Sequence, residues 1–538
     1  MKTKKTILII GMFLFISAFC TAQVEPFTRT YDIYPDWTGE TLQAIEKTAD
    51  GGYIIAYNQN EWFDKRTSIL KLDKYGEVEW HTVLDEEEFP EAISYSVCVD
   101  DDNNYYLAGY FQKSYYPTLW VDQNGFIAKY DQYGDRIWAK SYGTIPYHEA
   151  DSSYDAETIN DLVLYDDNRL IVTGSENYCS NNQDIILGKP WTFCIDTAGN
   201  FIWEWSDCND TINLWGQLYG VIKLNNGKIV TVGYQLRRRV EGDYDSPLDY
   251  LGFIATLDEN GTLLNRKSWH FLKNISIFFD VKALSDNTFA TVGYVADTSV
   301  YEQNDKHERV GLIVFDDDLN ECYQYNVNVG GDGGYSKLAV DNDTNIFVIA
   351  ATYPPYLIPE TEKQTDMLLM KCNKEAELIW KYFIGTDSTK YSLAHLDIVA
   401  DNDGGASLCS QHNLIQTKYE NGSYLYKVNE NGDGILPISE FPYPDDDEYI
   451  IYNNVQNELK DKVCIYPNPA KDELFIEIPD TLINSSFMMI SITGQLVVNN
   501  ILSQSQETIK ISELKNGIYI IKIQKDNIVV LKKIVVNK

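Results

Sequence analysis

One motif recurs seven times through the middle of the chain. Each copy begins with an Asp or Asn. In five copies a Gly follows three residues later, and in four copies a Trp follows seven residues after the first position. Neighbouring copies start 56 to 65 residues apart. Such an even repeat implies a fold made of equivalent units, each unable to bury its apolar face alone. The first positions are Asp73, Asp131, Asp196, Asp258, Asp316, Asn373 and Asn429.

A second recurring element precedes each copy of this motif. It is a polar turn followed by a short β-rich strand that ends in a small residue, as in "DGGYIIAY" and "NGKIVTVGY". Alternating Val, Ile and Tyr with Gly, Asn and Asp turns favours strands over helices. Each unit has room for four strands. In the second unit they are predicted at Ser96–Asp100, Tyr105–Tyr110, Gly125–Asp131 and Arg136–Tyr142.

Four-stranded units repeated seven times predict an all-β chain with a seven-bladed β-propeller over residues 23–440. A closed ring removes most exposed sheet edges. The segment near Phe27 to Tyr34 is a candidate for the N-terminal strand that completes the last blade. The region resembles bacterial extracellular propeller repeats, at the level of the blade pattern.

The repeated Asp, Gly and Trp are interpreted as structural. Asp at the first position can accept hydrogen bonds from backbone N–H groups of the turn. Gly permits a positive φ, and Trp packs between blades. Because the residues recur in blade after blade, they do not mark a single active site.

The two ends of the chain differ from the repeats. Residues 1–22 have the pattern of a secretory signal: Lys2, Lys4 and Lys5, then an apolar run from Ile7 to Phe19 and small residues before Gln23. No later segment is apolar enough to predict a transmembrane span. Residues 441–461 are polar and rich in acids, which predicts a linker. Residues 462–538 contain alternating strands that predict a small antiparallel β-sandwich (Ig-like).

The C-terminal strands carry four elements in order: "YPNP" at Tyr466, "ITGQLV" at Ile492, "LKNGIYIIKI" at Leu514, and a basic last strand with Lys532 and Lys533. This unit resembles the type A sorting domain of type IX secretion cargo. The resemblance implies export to the periplasm, passage through the outer membrane with help from the type IX machinery acting on residues 462–538, and removal of the sorting domain. It implies a secreted or outer-membrane-attached protein.

Charge excludes some partners. The formal net charge is −36, of which the first 22 residues contribute +3 and residues 461–538 contribute +1, so residues 23–460 carry −40. Such a body repels phosphates, so we expect no nucleic-acid binding. The eight cysteines after residue 22 show no metal-ligand spacing. One disulfide is expected among Cys179, Cys194 and Cys208, and buried thiols at Cys98 and Cys409.

A binding face is predicted where the connections between second and third strands meet, here named the long-loop face. These connections are expected to be long and variable, and exposed aromatic and cationic residues are typical of interfaces. The alternative is that these side chains pack their own loops. The candidate ligand-binding residues are Trp62, Tyr116, Trp120, Arg238 and Tyr356.

The sequence offers no catalytic motif, no metal pattern and no cofactor fingerprint, and the six histidines form no HExxH. The favoured hypothesis is therefore a non-enzymatic module that binds a glycan, peptide or protein. The alternatives are a hydrolase or lyase with its site at the mouth of the central channel, and a scaffold in a surface assembly. Ionisable residues with raised carboxyl pKa values at that mouth would favour the enzyme.

Overall fold

Seven antiparallel sheets of four or five strands make up the repeat region, and each corresponds to one repeat. The predicted all-β class is confirmed. The computed structural model describes residues 24–31, 33, 40–61, 64–115, 120–143, 157–179, 186–207, 213–238, 248–269, 276–297, 307–329, 335–352, 366–384, 391–414, 422–434, 448–451, 463–491, 496–525 and 528–538.

The first four blades each contain four consecutive strands, ordered from the inside outwards. Their strands are β2 (Glu40–Lys47), β3 (Tyr53–Glu61), β4 (Asp64–Leu72) and β5 (Val78–Val83); β6 (Ile93–Val99), β7 (Tyr105–Tyr115), β8 (Trp120–Tyr130) and β9 (Arg136–Tyr142); β10 (Thr158–Asp166), β11 (Arg169–Cys179), β12 (Ile186–Asp196) and β13 (Phe201–Ser206); β14 (Asn213–Lys223), β15 (Ile229–Arg238), β16 (Leu248–Leu257) and β17 (Leu263–Trp269).

The last three blades follow the same order, with two additions: blade five gains an outer fifth strand, and blade seven takes its outer strand from the start of the chain. Their strands are β18 (Ser276–Ala283), β19 (Phe289–Asp297), β20 (His307–Phe315), β21 (Glu321–Asn328) and β29 (Glu448–Ile451); β22 (Ser336–Val340), β23 (Ile346–Thr352), β24 (Asp366–Cys372) and β25 (Leu378–Ile384); β26 (Tyr391–Ala400), β27 (Ala406–Leu414), β28 (Gly422–Val428) and β1 (Phe27–Tyr31).

The inner strands close a ring. Each first strand contacts the first strand of the next blade, and β26 of blade seven contacts β2 of blade one. Strand β1 pairs antiparallel with β28, with Phe27 opposite Lys427 and Tyr31 opposite Ser423. The prediction that the N-terminal strand completes the last blade is confirmed.

The repeated motif forms the turn between third and fourth strands. In blade four, the Asp258 carboxylate accepts N–H groups from Asn260 and Thr262 at 2.9 and 2.8 Å. Gly261 has a φ of +80°, and a Cβ there would lie 2.4 Å from the Trp203 ring. Trp203 of blade three donates its indole N–H to the Glu259 carbonyl at 3.0 Å. Each such Trp thus fastens its blade to the turn of the next, as the structural interpretation predicts.

The C-terminal residues form two antiparallel sheets, in the orders β30-β31-β34 and β33-β32-β35-β36. Apolar residues of both sheets, among them Ile476, Phe487 and Ile521, share one core, so the predicted sandwich is confirmed. A short 3-10 helix covers Asp480–Leu482. The strands are β30 (Cys464–Tyr466), β31 (Glu473–Glu477), β32 (Ser485–Ser491), β33 (Leu496–Leu502), β34 (Gln506–Lys510), β35 (Gly517–Lys525) and β36 (Ile528–Val536).

Two expectations need correction. The predicted linker contains a strand, since β29 pairs with β21. The first blade's connection is short: Glu61 pairs with Asp64, because the hairpin strands extend further than the sequence pattern indicated. Of the three cysteines expected to supply one disulfide, Cys194 is a buried free thiol, and Cys208 lies outside the described residues. Cys98 and Cys409 are buried thiols, as predicted.

The predicted signal lies outside the described residues. Among the residues that the structure does describe, no helix is long and apolar enough to cross a membrane.

Candidate functional site: the central channel

The wall of the channel is formed by the seven inner strands, and six of them carry a β-bulge in their middle part. The chain enters each inner strand on the long-loop face. A bulge re-aims side chains and interrupts pairing, and bulges are frequent beside functional sites. The residues at the bulges are Gln43, Tyr95, Asn160, Tyr219, Phe279 and His395.

Aromatic side chains gather at this level of the channel. Phe279 packs against Tyr219 and against Tyr335, with ring centroids 5.4 and 5.2 Å away. Tyr95 of blade two lies close enough to Tyr335 of blade six that ionisation of the Tyr335 hydroxyl would raise the pKa of Tyr95. All four side chains are half-buried. We call Tyr95, Tyr219, Phe279 and Tyr335 the channel aromatics.

Six ionisable side chains lie one or a few residues further along the inner strands. They come from blades one, three, five, six and seven, and their charges act on one another across the ring. Lys282 retains 40% exposure of its side chain, with its Nζ 3.8 Å from an Asp280 oxygen. We call this set the channel cluster: Glu46, Asp161, Asp280, Lys282, Lys337 and Asp397.

Three aspartates of the cluster join neighbouring blades. The Asp161 carboxylate accepts the Val221 N–H at 3.0 Å, that of Asp280 accepts the Leu338 N–H at 3.0 Å, and that of Asp397 accepts the Ile45 N–H at 2.8 Å. The acceptors lie in blades three, five and seven, and each donor lies in the next blade. The inner edge of a sheet has unpaired N–H groups, so these carboxylates satisfy donors that would otherwise lack a protein partner.

Burial and charge shift the pKa values of this cluster. Enclosure in the channel raises the pKa of Asp397 to about 6, although Lys337 and Lys282 act to lower it. Enclosure also raises the pKa values of Glu46 and Asp161. For Lys282, burial would lower the pKa, but Asp280 and Asp161 outweigh it, so the pKa is raised. The cluster therefore holds protonatable carboxyls beside firmly charged lysines.

A second buried cluster lies at the other end of the ring, under the short turns. The Asp401 carboxylate accepts Lys47 Nζ at 2.7 Å, Lys427 Nζ at 2.8 Å and Ser407 Oγ at 2.7 Å. Tyr53 OH lies 3.4 Å from Asp401 and 2.8 Å from Ser407. We call these five residues the Asp401 cluster.

Here the lysines dominate. Burial alone would raise the pKa of Asp401, but Lys47 and Lys427 outweigh it and hold that pKa below its usual range. Side-chain exposure is 3% for both Asp401 and Lys427. Other blades repeat the arrangement with a third-strand lysine and a turn aspartate, as in Lys71–Asp50 at 2.9 Å and Lys371–Asp341 at 3.3 Å. The Asp401 cluster is therefore structural: its Lys427–Asp401 pair lies within blade seven, and its Lys47–Asp401 pair joins blade one to blade seven.

The sequence-predicted site residues are only partly described. Trp62, Tyr116 and Tyr356 lie outside the described residues. Trp120 begins β8 opposite Tyr115, and Arg238 ends β15 opposite Leu248, so both lie at the long-loop ends of their strands. Sequence reasoning missed the channel cluster and the channel aromatics. Within the described residues, no group of three or more His, Cys, Asp or Glu could hold a metal ion.

Residues 464–537 match the family model described as "Secretion system C-terminal sorting domain". No curated protein matches the chain. Several solved structures resemble it weakly. A protein of unknown function from Dyadobacter fermentans has a TM-score of 0.41 and 10% identity, covering 75% of this chain and 98% of that one. The polysaccharide lyase Uly1 has a TM-score of 0.40 and 10% identity, covering 77% and 94%.

PorZ of Porphyromonas gingivalis, titled a surface component of the type IX secretion system, has a TM-score of 0.19 and 10% identity, covering 92% of this chain and 81% of that one. These likenesses are too distant to assign a function. The sorting-domain match concerns the C-terminal residues alone, and it agrees with the four motifs found in the sequence. The chain is a type IX secretion cargo with a C-terminal sorting domain, exported to the cell surface or the extracellular space.

Proposed function

We propose that the exported propeller is a binding module whose ligand enters the central channel from the long-loop face. The observation that carries this proposal is the convergence of the channel aromatics and the channel cluster from all seven blades onto one axis. Half-buried aromatic rings beside a few polar groups are typical of small-ligand sites. Trp120 and Arg238, at the long-loop ends of β8 and β15, are proposed to extend the contact surface, together with Trp62, Tyr116 and Tyr356.

Binding is favoured over catalysis by what the carboxylates already do. Asp161, Asp280 and Asp397 each accept an N–H of the next blade, which fixes them as parts of the ring. Such fixed groups make a preorganised surface for hydroxyl or ammonium donors of a ligand. A glycan or peptide offers both donors and apolar faces for the rings.

The charge of the channel sets the ligand class. Four carboxylates face two lysines, so the ionised cluster is negative overall. An extra anion about 4 Å from one unbalanced carboxylate costs at least about 1 kcal/mol. We therefore propose neutral or cationic ligands, such as neutral or amino sugars and basic peptides, and expect uronic acids and sialic acids to bind more weakly.

A hydrolase or lyase is the second candidate, and one observation favours it. Asp397 has a pKa near 6 and shares the channel with Lys337 and Tyr335, whose ring centroid lies 5.5 Å from Lys337 Nζ. A carboxyl with such a pKa can act as a general acid near neutrality. Lysine and tyrosine are suited to proton transfer from a substrate.

The binding proposal is tested by probing the full chain on an array of neutral, amino and acidic glycans and of peptides. Any glycan or peptide detected is then titrated by calorimetry against Tyr219→Ala and Tyr335→Ala. We expect each variant to weaken binding by about twofold to tenfold, since a ring contact contributes about 0.5–1.5 kcal/mol. The control is Tyr133→Ala, because Tyr133 is 72% exposed in a short turn.

Equal affinities in all four proteins would contradict a channel site. The enzyme is tested with the same glycans by following release of reducing or unsaturated ends. Product formation that disappears in Asp397→Asn would establish the second candidate. Binding without product in the wild type would exclude it for that ligand.

A further inference from the structure

Blade five differs from the other blades at its outer edge. Strand β29 pairs antiparallel with β21, with Tyr323 opposite Ile451, Gln324 opposite Ile450, Tyr325 opposite Tyr449 and Asn326 opposite Glu448. In the described residues, the other six propeller sheets end at four strands. A short segment that follows blade seven in the chain therefore returns to cover an edge more than 100 residues earlier.

The covered strand has one charged residue, Glu321 at its first position, which pairs with Lys267 of blade four. The rest of the strand, including the four residues opposite β29, reads "CYQYNVN" from Cys322 to Asn328 and contains no Lys, Arg, Asp or Glu. Native proteins place charges on edge strands because unpaired N–H and C=O groups invite pairing with another chain. The other outer strands follow this rule, with Glu79 in β5, Lys140 in β9, Glu204 in β13, Lys267 in β17, Lys381 in β25 and Arg29 in β1.

The outer strands also differ in how far their residues are exposed. Strands β5, β9, β13 and β25 each begin with two exposed residues, whereas β21 has none. Gln324 and Asn326 are fully buried, and Gln324 Nε2 donates to Asn326 Oδ1 at 2.7 Å. An uncharged β-rich segment of seven residues without Pro or Gly is suited to pairing with its own kind when uncovered.

We propose that Glu448–Ile451 is an intramolecular guard: it occupies the outer edge of blade five and thereby prevents that edge from pairing with β21 of a second copy. Antiparallel pairing of two identical strands is self-complementary about a twofold axis, which makes a second copy a fitting partner for the vacated edge. The guard lies between the propeller and the sorting domain in the chain, so whatever draws this segment away uncovers the edge.

The test disrupts the guard in the full chain with Tyr449→Pro plus Ile450→Pro. Successive N–H groups of a strand point to opposite edges, so two adjacent prolines remove one pairing donor in either register. We expect amide hydrogen exchange in residues 321–328 to become at least tenfold faster, and light scattering to show a dimer at tens of micromolar where the wild type is a monomer. Adding Tyr323→Lys, which restores an edge charge, should return the monomer.

A cross-link checks docking without weakening the strand. Tyr323 and Ile451 are opposite each other, so Tyr323→Cys plus Ile451→Cys should form a disulfide under mild oxidation and keep the chain monomeric. Tyr323→Cys plus Glu448→Cys, which are out of register, is the control. Failure of the in-register pair to cross-link would show that the guard is not docked. A double-proline variant that stays monomeric, whether or not its exchange rises, would overturn the guarding role.

Discussion

The propeller contains two clusters built from the same residue types that behave in opposite ways. In the Asp401 cluster, two lysines enclose one buried carboxylate and lower its pKa. In the channel cluster, four carboxylates outnumber two lysines, and enclosure raises the pKa of Asp397 to about 6. The balance of partners, rather than burial alone, sets the direction of the shift. The first cluster is an interblade fastening, and the second retains charge for a ligand.

Removing Asp401 should have the largest effect on stability. Asp401→Ala removes a buried carboxylate from two lysines, Lys427 at 3% and Lys47 at 22% exposure, and breaking such a buried pair costs about 3–5 kcal/mol. Unfolding in urea can be followed by tryptophan fluorescence, which reports on the propeller alone because all 11 tryptophans precede residue 381. A loss below 1 kcal/mol would mean that Asp401 contributes no more than a weak surface ion pair. The contrast between the Asp401 cluster and the channel cluster would then not hold.

A change of pH should change the stability contributed by Asp401 and the stability contributed by Asp397 in opposite directions. The depressed pKa of Asp401 gives stability that is present above its unfolded value near 4 and is lost as pH falls through the folded pKa. The raised pKa of Asp397 gives stability that is present below about 4 and is lost as pH rises through about 6.

Asp397→Asn isolates the second effect, since the amide oxygen can still accept the Ile45 N–H. We expect the variant to match the wild type at pH 4 and to be more stable by roughly 1–2 kcal/mol at pH 7, after allowance for channel water. Urea unfolding at both pH values measures this difference. A variant that is less stable at pH 7 would show that Asp397 is a fastening, as Asp401 is.

Replacing a lysine of the channel cluster should show directly that neighbouring charges, and not burial alone, set the Asp397 pKa. Lys337 has the largest lowering influence on the Asp397 pKa, so Lys337→Met should raise that pKa by about one unit. Carboxyl carbon shifts of labelled Asp in nuclear magnetic resonance titrations would report it. Lys374→Met, at a lysine that is 43% exposed, is the control and should leave the Asp397 titration in place.

The smallest effect is expected for an ion pair in which both side chains are only partly buried. Lys228 Nζ lies 2.8 Å from Asp317, and the side chains are 28% and 31% exposed. Asp317→Ala should cost no more than about 1 kcal/mol, and the cost should shrink in high salt. A cost equal to that of Asp401→Ala would mean that exposure does not separate the two kinds of pair.

Local pattern was sufficient to predict the blades but not the channel. The Asp258 turn with Gly261 belongs to one repeat and Trp203 to the repeat before it, and the same short pattern specifies both. Asp161, Asp280 and Asp397 lie 119 and 117 residues apart and meet only because the ring closes. One signal was available: each is an acid in the interior of a first strand, with apolar residues close to it in the sequence. A second signal was a lysine that recurs two residues before the first position of the repeated motif, at Asp73, Asp131, Asn373 and Asn429. This lysine marks the ion pairs under the short turns.

The meeting of Phe27 with Lys427 has a consequence for how the protein reaches its destination. The two residues are 400 positions apart, so blade seven stays one strand short until both ends of the propeller share a compartment. Closing so long a loop is slow compared with pairing neighbouring strands. A chain that crosses a membrane as an extended thread therefore cannot complete blade seven until both of these segments have crossed.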